Sequence, residues 1–171
     1  MTRLETERLV LRKPVLSDYP TYEAFVIDDR SEHAREFGTK GEAYRVFCSM
    51  VGHWAMHGTG YFAITRRGDD APIGGTGVFH PPDFPEGELG YSLWTAEAEG
   101  QGIAAEAVTA VRGHVYRDLG WPTIVSYINP ENARSIALAE RIGCVLDEAA
   151  GKPEGCPDDL VYRHPGPEAL Q

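Results

Sequence analysis

The stretch Glu88 to Glu106, Glu-Leu-Gly-Tyr-Ser-Leu-Trp-Thr-Ala-Glu-Ala-Glu-Gly-Gln-Gly-Ile-Ala-Ala-Glu, changes its hydrophobic period partway along. Leu89, Tyr91 and Leu93 alternate with Glu88, Gly90 and Ser92, the period of a strand. After Gly102, the residues Ala104, Val108, Val111, Val115 and Leu119 recur at helical spacing. A strand therefore runs into a helix through Glu99-Gly100-Gln101-Gly102. Glycines let the backbone approach a ligand closely, and the first turn of a helix offers unpaired N–H groups with partial positive charge, a combination that suits a phosphate. A dinucleotide fingerprint would need a third glycine where Ala105 stands, and the phosphate loop of nucleotide hydrolases would need Gly-Lys-Ser/Thr, which is absent. What remains is an anion cradle on a strand–helix turn.

At 171 residues the chain fits one domain with a full hydrophobic core, residues 1–171, with a core of about 5–163 and a short tail from Pro165 onward. No apolar run approaches the roughly 18 residues of a bilayer span, and the N-terminus lacks the apolar core of a signal peptide. The expectation is a cytoplasmic protein with no membrane partner. Cys48, Cys144 and Cys156 have no zinc or redox spacing and cannot all pair within the chain, so they read as reduced structural thiols, with no metal site. A formal net charge of −10 disfavours nucleic acid and favours amine-bearing partners.

Arg8 to Pro14 reads as a strand stopped by proline, and Ser17-Asp18 as the cap of a helix through about Ile27. From Ser31 to His57 two helical pieces are expected, broken around Gly38, Lys40 and Gly41, the second running from Glu42 to His57. Gly60–Arg67 and Pro72–His80 form a hairpin about Gly68-Asp69-Asp70, and a loop over 81–87 leads into the strand at Glu88. The following helix closes at Gly120. Thr123–Ile128 is then a strand parallel to the one before the helix, because a helical crossover joins them. Asn132 caps a last helix ended by Gly143, and Cys144–Leu146 with Leu160–Tyr162 make a closing strand pair around a Gly- and Pro-rich loop over 149–159.

In this order the residues resemble the GNAT superfamily of acyl-CoA-dependent N-acetyltransferases, in particular the branch that includes the ribosomal-protein N-terminal acetyltransferases. The family's cradle motif, Arg/Gln-x-x-Gly-x-Gly/Ala, is matched by Glu99-Gly-Gln-Gly-Ile-Ala104, followed by the branch's Ala105-Glu106-Ala107. Asn132-Ala-Arg-Ser135 through Gly143 matches a second signature, and Glu7-Arg-Leu-Val-Leu-Arg12 is similar to the branch's opening strand. One position departs from the pattern: Glu99 stands where the family has Arg or Gln, and a carboxylate there would repel a diphosphate.

The resemblance implies an α/β fold with a mixed, mostly antiparallel sheet, a parallel and splayed strand pair, and flanking helices. It implies acetyl-CoA in the gap of that pair, with its pantetheine arm on the backbone of Leu93, Trp94 and Thr95. Its diphosphate would rest on the amides of Gly100, Gln101, Gly102, Ile103 and Ala104. Asn132 would reach the arm from the far wall, and Arg134 or Arg141 the 3′-phosphate; Asn132 and Ser135 read equally as a capping pair. The activity implied is direct acetyl transfer to a primary amine, on a small molecule or a peptide N-terminus, by a monomer or homodimer.

An ammonium acceptor needs a base. Glu88 leads because it precedes the splayed end on the face opposite Leu89 and Tyr91, and His80 is the second choice. By the resemblance, the hydroxyl that would reprotonate the leaving thiolate is Ser135, with Tyr127 as the alternative, and a backbone N–H near Leu93 or Trp94 would polarise the thioester carbonyl. Two other functions use the same fold: a non-catalytic acyl-CoA-binding or sensing module, and an interaction protein that has lost the cofactor.

Overall fold

Alternation on β3 (Tyr61–Arg66) sets the layers of the molecule. Tyr61 and Ala63 point to one face, against Tyr22, Phe25 and Val26 of α1 (Tyr19–Val26) and Phe47 and Met50 of α2 (Lys40–His57). Phe62 and Ile64 point to the other, against Ile103, Ala107, Val108, Val111 and Val115 of α3 (Ile103–Arg117). A sheet buried on both faces by helices results, the expected α/β arrangement. The computed structural model describes residues 2–33 and 38–170.

The remaining strands are β1 (Leu4–Glu5), β2 (Leu9–Arg12), β4 (Pro72–Phe79), β5 (Glu88–Leu93), β6 (Val125–Ile128), β7 (Val145–Leu146) and β8 (Leu160–Arg163), and the last helix is α4 (Ala133–Arg141). The sheet order is β1-β2-β3-β4-β5-β6-β8-β7. Every neighbouring pair is antiparallel except β5 and β6, which the α3 crossover makes parallel. On β6, Ile128 faces α4 through Ala139, whereas Val125 and Tyr127 face Phe84 and Ala150 of the loops.

Several boundaries differ from the expectations. The two-residue β1 was not anticipated, being too short to show a period. Asp18 makes no side-chain cap on α1; it holds the Arg12 guanidinium at 2.7 and 2.8 Å and the Val15 N–H at 2.9 Å. α2 starts two residues before Glu42, because Thr39 and Glu42 form a reciprocal capping box. Of the first helical piece expected after Ser31, residues 34–37 lie outside the described residues, and Asp29–Ser31 form only a 3₁₀ turn. β8 lies between β6 and β7 and pairs with both. The expected tail carries a 3₁₀ turn over Pro167–Leu170.

Candidate active site at the forked strand pair

The parallel ladder between β5 and β6 consists of one step, Glu88 opposite Val125, with the Val125 N–H donating to the Gly87 carbonyl at 3.2 Å. Beyond it the strands part. On the other side β5 stays paired with β4 along its whole length, from Phe79 opposite Glu88 to Gly74 opposite Leu93. The Trp94 N–H donates to the Ile73 carbonyl at 2.9 Å, so by alternation the backbone N–H and C=O groups of Tyr91 and Leu93 face the gap. The Thr95 N–H also goes to Ile73, at 3.4 Å. Of the three residues expected to present backbone to the pantetheine arm, two thus spend their N–H groups on β4 and Leu93 does not. The same bond leaves Leu93, rather than Trp94, as the backbone N–H on this wall.

A cavity of about 370 Å³ fills the gap. Glu88, Gly90, Tyr61 and Phe84 line it on the α1–α2 side, and Tyr91, Asn132 and Ser135 line it on the α4 side. It therefore passes through the fork and is lined from both faces of the sheet.

Next to the fork, Gly100 and Gly102 adopt φ of +69° and +73°, a left-handed conformation costly for any residue with a Cβ. Gly102 is the N-cap of α3, and Glu106 is the first residue whose N–H bonds back into the turn, to the Gly102 carbonyl at 3.1 Å. The N–H groups of Ile103, Ala104 and Ala105 are then the first-turn donors that a helix leaves to a ligand or to water. A Cβ at Gly100 would meet nothing within 4 Å, so the loop is open on that side. Arg8 fixes its position from behind, with Nη1 donating to the Gln101 carbonyl at 2.9 Å and Nε to Glu106 at 2.6 Å. Arg66 holds the Gln101 side chain at 2.9 Å. This backbone fits a diphosphate.

Glu99 is not an isolated negative charge. Its two oxygens take Arg30 Nη1 at 3.1 Å and Arg134 Nη1 at 3.2 Å. Arg30 also donates to the Trp94 carbonyl at 3.0 Å, and Arg134 to the Arg30 carbonyl at 2.9 Å. The clasp ties the turn after α1 to the end of β5 and to α4, and it matches the carboxylate that departs from the family pattern. Arg134 is thus engaged with Glu99, and Arg141 is exposed at the far end of α4.

The other expected residues divide between the two faces. Glu88 shares the face of Gly90 and Trp94, toward α1 and α2, and lines the cavity. His80 does not line it; exposed at the end of β4, its ring lies 6.3 Å from that of Trp121. Asn132 does cap α4, accepting from the Ser135 N–H at 3.1 Å, and its amide donates to the His33 carbonyl at 3.3 Å. Ser135 lines the cavity on the α4 side. Tyr127 faces the opposite side, stacking edge-on against Phe84, its hydroxyl accepting from the Glu86 N–H at 3.3 Å. The two hydroxyls considered as alternatives therefore lie on opposite faces of the sheet. The tyrosine beside Ser135 is Tyr91, whose hydroxyl donates to the Ser135 carbonyl at 3.1 Å. Burial raises its pKa well above the usual value, so it stays protonated. Reading the sequence missed Tyr91 because its place in the strand alternation made it look like a core residue.

A mixed sheet forked between β5 and β6, with a glycine-turned helix N-terminus beside the fork, is the arrangement that the resemblance to acyltransferases implies. The sequence matches the acetyltransferase (GNAT) domain over residues 8–145, and the chain belongs to that family. Family members use acetyl-CoA and act on an amine acceptor. Among solved structures, an acetyltransferase from Agrobacterium tumefaciens str. C58 is 39% identical, with a TM-score of 0.90 over 96% of this chain and 95% of that one. The ribosomal-protein-S5-alanine acetyltransferase from Vibrio fischeri shares the fold at 20% identity, with a TM-score of 0.70 over 98% of each chain. A ribosomal L7/L12 alpha-N-protein acetyltransferase in complex with coenzyme A shares it at 17% identity, with a TM-score of 0.72 over 95% of this chain and 97% of that one. No helix among the described residues is long and apolar enough to cross a membrane.

Proposed function

We propose that this chain is an N-acetyltransferase that passes the acetyl group directly to a primary amine, on a peptide N-terminus or a small molecule, with both substrates bound at once. The observation that carries this reading is the cavity through the fork, which lets a donor held on the α3–α4 side meet an acceptor from the α1–α2 side. Direct transfer needs no protein nucleophile, only two reactants brought together in line.

When bound, acetyl-CoA supplies an activated acetyl thioester. The amides of Gly100, Gln101, Gly102, Ile103 and Ala104 would hold its diphosphate, and the fork-facing backbone of Leu93 and Tyr91 would hold the pantetheine arm. The Leu93 N–H is the donor available to polarise the carbonyl. Glu88 removes a proton from the acceptor ammonium, directly or through a water. Ser135 Oγ–H is a proton donor on the sulfur side, and the Tyr91 hydroxyl becomes a second by turning from the Ser135 carbonyl. Because Arg30 and Arg134 match the charge of Glu99, that residue no longer favours a non-catalytic binding module.

The test is the shift in melting temperature with acetyl-CoA, against 3′-dephospho-CoA and adenosine diphosphate, followed by an amine screen read by thiol release. Ligand at a hundredfold excess over its dissociation constant stabilises a fold by about 2.7 kcal/mol. A shift with turnover supports the enzyme, a shift without turnover on any amine points to a binding module, and no shift means the cofactor site is lost.

A further inference from the structure

Two buried polar side chains sit where β5 and β6 part, and the chemistry proposed above uses neither. Ser126 is 2% exposed and His164 3% exposed. Ser126 Oγ donates to the Leu89 carbonyl at 2.6 Å and lies 3.0 Å from His164 Nε2.

Had the parallel ladder gone one step further, Gly90 would stand opposite Tyr127, and the Leu89 carbonyl would accept the Tyr127 N–H. The ladder stops at Glu88 and Val125, and that carbonyl is held by Ser126 Oγ instead. A side-chain donor thus replaces the next backbone donor on the same acceptor. Since the serine proton is spent on Leu89, His164 Nε2 must carry the proton of the second bond, with the serine oxygen accepting. The His164 backbone N–H is fixed to the Ile124 carbonyl at 3.1 Å, which anchors the residue beside Ser126, and the side chain is 3% exposed. By donating to Ser126 Oγ, the imidazole leaves that hydroxyl's proton to the Leu89 carbonyl and so fixes its direction.

We propose that Ser126, braced by His164, is the wedge that ends the β5–β6 ladder and holds the cofactor groove open. The two are positioning residues: they touch no reacting atom and act through the width of the fork. The inference rests on the proposed function, because the groove it keeps open is the one assigned there to the pantetheine arm.

The variants are Ser126→Ala, His164→Leu, the double variant of these two, and His164→Gln, the last keeping a donor near the position of Nε2. Each is followed by calorimetric titration with coenzyme A and by the melting temperature without ligand. Ser126→Ala is expected to lose at least tenfold in affinity, since the strands zip together by one step, and the double variant Ser126→Ala/His164→Leu, which strands no imidazole N–H, to lose as much with a melting temperature equal to or above that of the natural protein. His164→Leu is expected to lose affinity as well, and His164→Gln to recover most of it. Natural affinity in Ser126→Ala, or a loss in the double variant that only tracks falling stability, overturns the wedge. If the natural protein itself binds no coenzyme A, the proposed function fails. The wedge is then judged by a crystal structure of Ser126→Ala: Gly90 paired with Tyr127 supports it, and an unchanged fork overturns it.

Discussion

The Tyr91 hydroxyl donates to the Ser135 carbonyl at 3.1 Å, a bond that joins β5 to the first turn of α4 across the fork. It brings the only tyrosine hydroxyl on the α4 wall of the cavity among the described residues to the backbone of Ser135. Tyr91→Phe removes one net hydrogen bond, so unfolding free energy is expected to fall by about 1 kcal/mol. Turnover is expected to slow at least tenfold, since one of two proton donors on that wall is gone. A variant that loses stability and keeps its rate would make Tyr91 a brace and leave Ser135 as the donor.

Glu88 stands on the opposite wall, toward α1 and α2. Glu88→Gln keeps size and hydrogen bonding and removes the base. Turnover at pH 7 is expected to fall by about 10²–10⁴, the usual contribution of general base catalysis. Coenzyme A affinity is expected to change less than twofold, because the diphosphate cradle lies at the other end of β5. Steady-state thiol release with calorimetry separates the two effects, and an unaltered rate removes Glu88 as base.

The turn from β5 into α3 was legible because a change of period and two glycines occupy adjacent positions in the chain. The parallel placement of β6 followed from the helix between them. Contacts that join distant segments leave no such trace. Arg30 reaches Glu99 and Trp94 from more than sixty residues away, and nothing near Arg30 in the sequence signals it. Tyr91, Leu89 and Leu93 share one alternation, yet Leu89 is fully buried and Tyr91 only partly, because the ladder to β6 stops at Glu88 and leaves Tyr91 beside the gap. The start of α2 was a different matter: Thr39-Lys-Gly-Glu42 is a readable capping box, hidden by the weight placed on Gly38 and Gly41 as helix breakers.

The Glu99 clasp gives an electrostatic prediction. Its members are partly exposed, with Glu99 36% and Arg134 64% accessible, so breaking it with Glu99→Gln is expected to cost under about 1 kcal/mol of stability. The effect on the cofactor has the opposite sign. A unit charge about 10 Å away through water is worth about 0.4 kcal/mol per anionic charge. Removing it leaves both arginines in place and is expected to tighten coenzyme A by about two- to fourfold at low salt, a gain that vanishes in 0.5 M salt. Calorimetry at two salt concentrations reads it. Weaker binding of Glu99→Gln at low salt would mean that the carboxylate serves the cradle by holding Arg30 and Arg134 in place.

His164 sets the acid side of the stability profile. Desolvation, with the nearby positive charge of Arg112, lowers its pKa to about 3, whereas the unfolded chain titrates near 6.5. Between those values the unfolded state binds a proton that the folded state excludes. Stability is therefore complete above about pH 6.5 and falls as pH drops toward 3, by up to about 1.4 kcal/mol per pH unit. His53, also lowered by burial, adds slope in the same direction, and the lowered carboxyls of Glu86, Glu106 and Asp147 add theirs only in the acid range below about 4.5. His164→Gln cannot titrate, so between pH 4.5 and 6 its unfolding free energy is expected to fall less steeply than that of the natural protein, by about one proton's worth of slope. Urea titrations at closely spaced pH values measure the difference. Equal slopes would mean that the imidazole takes up its proton in the folded state, on Nδ1, with the bond from Nε2 to Ser126 kept and burial failing to hold the ring neutral.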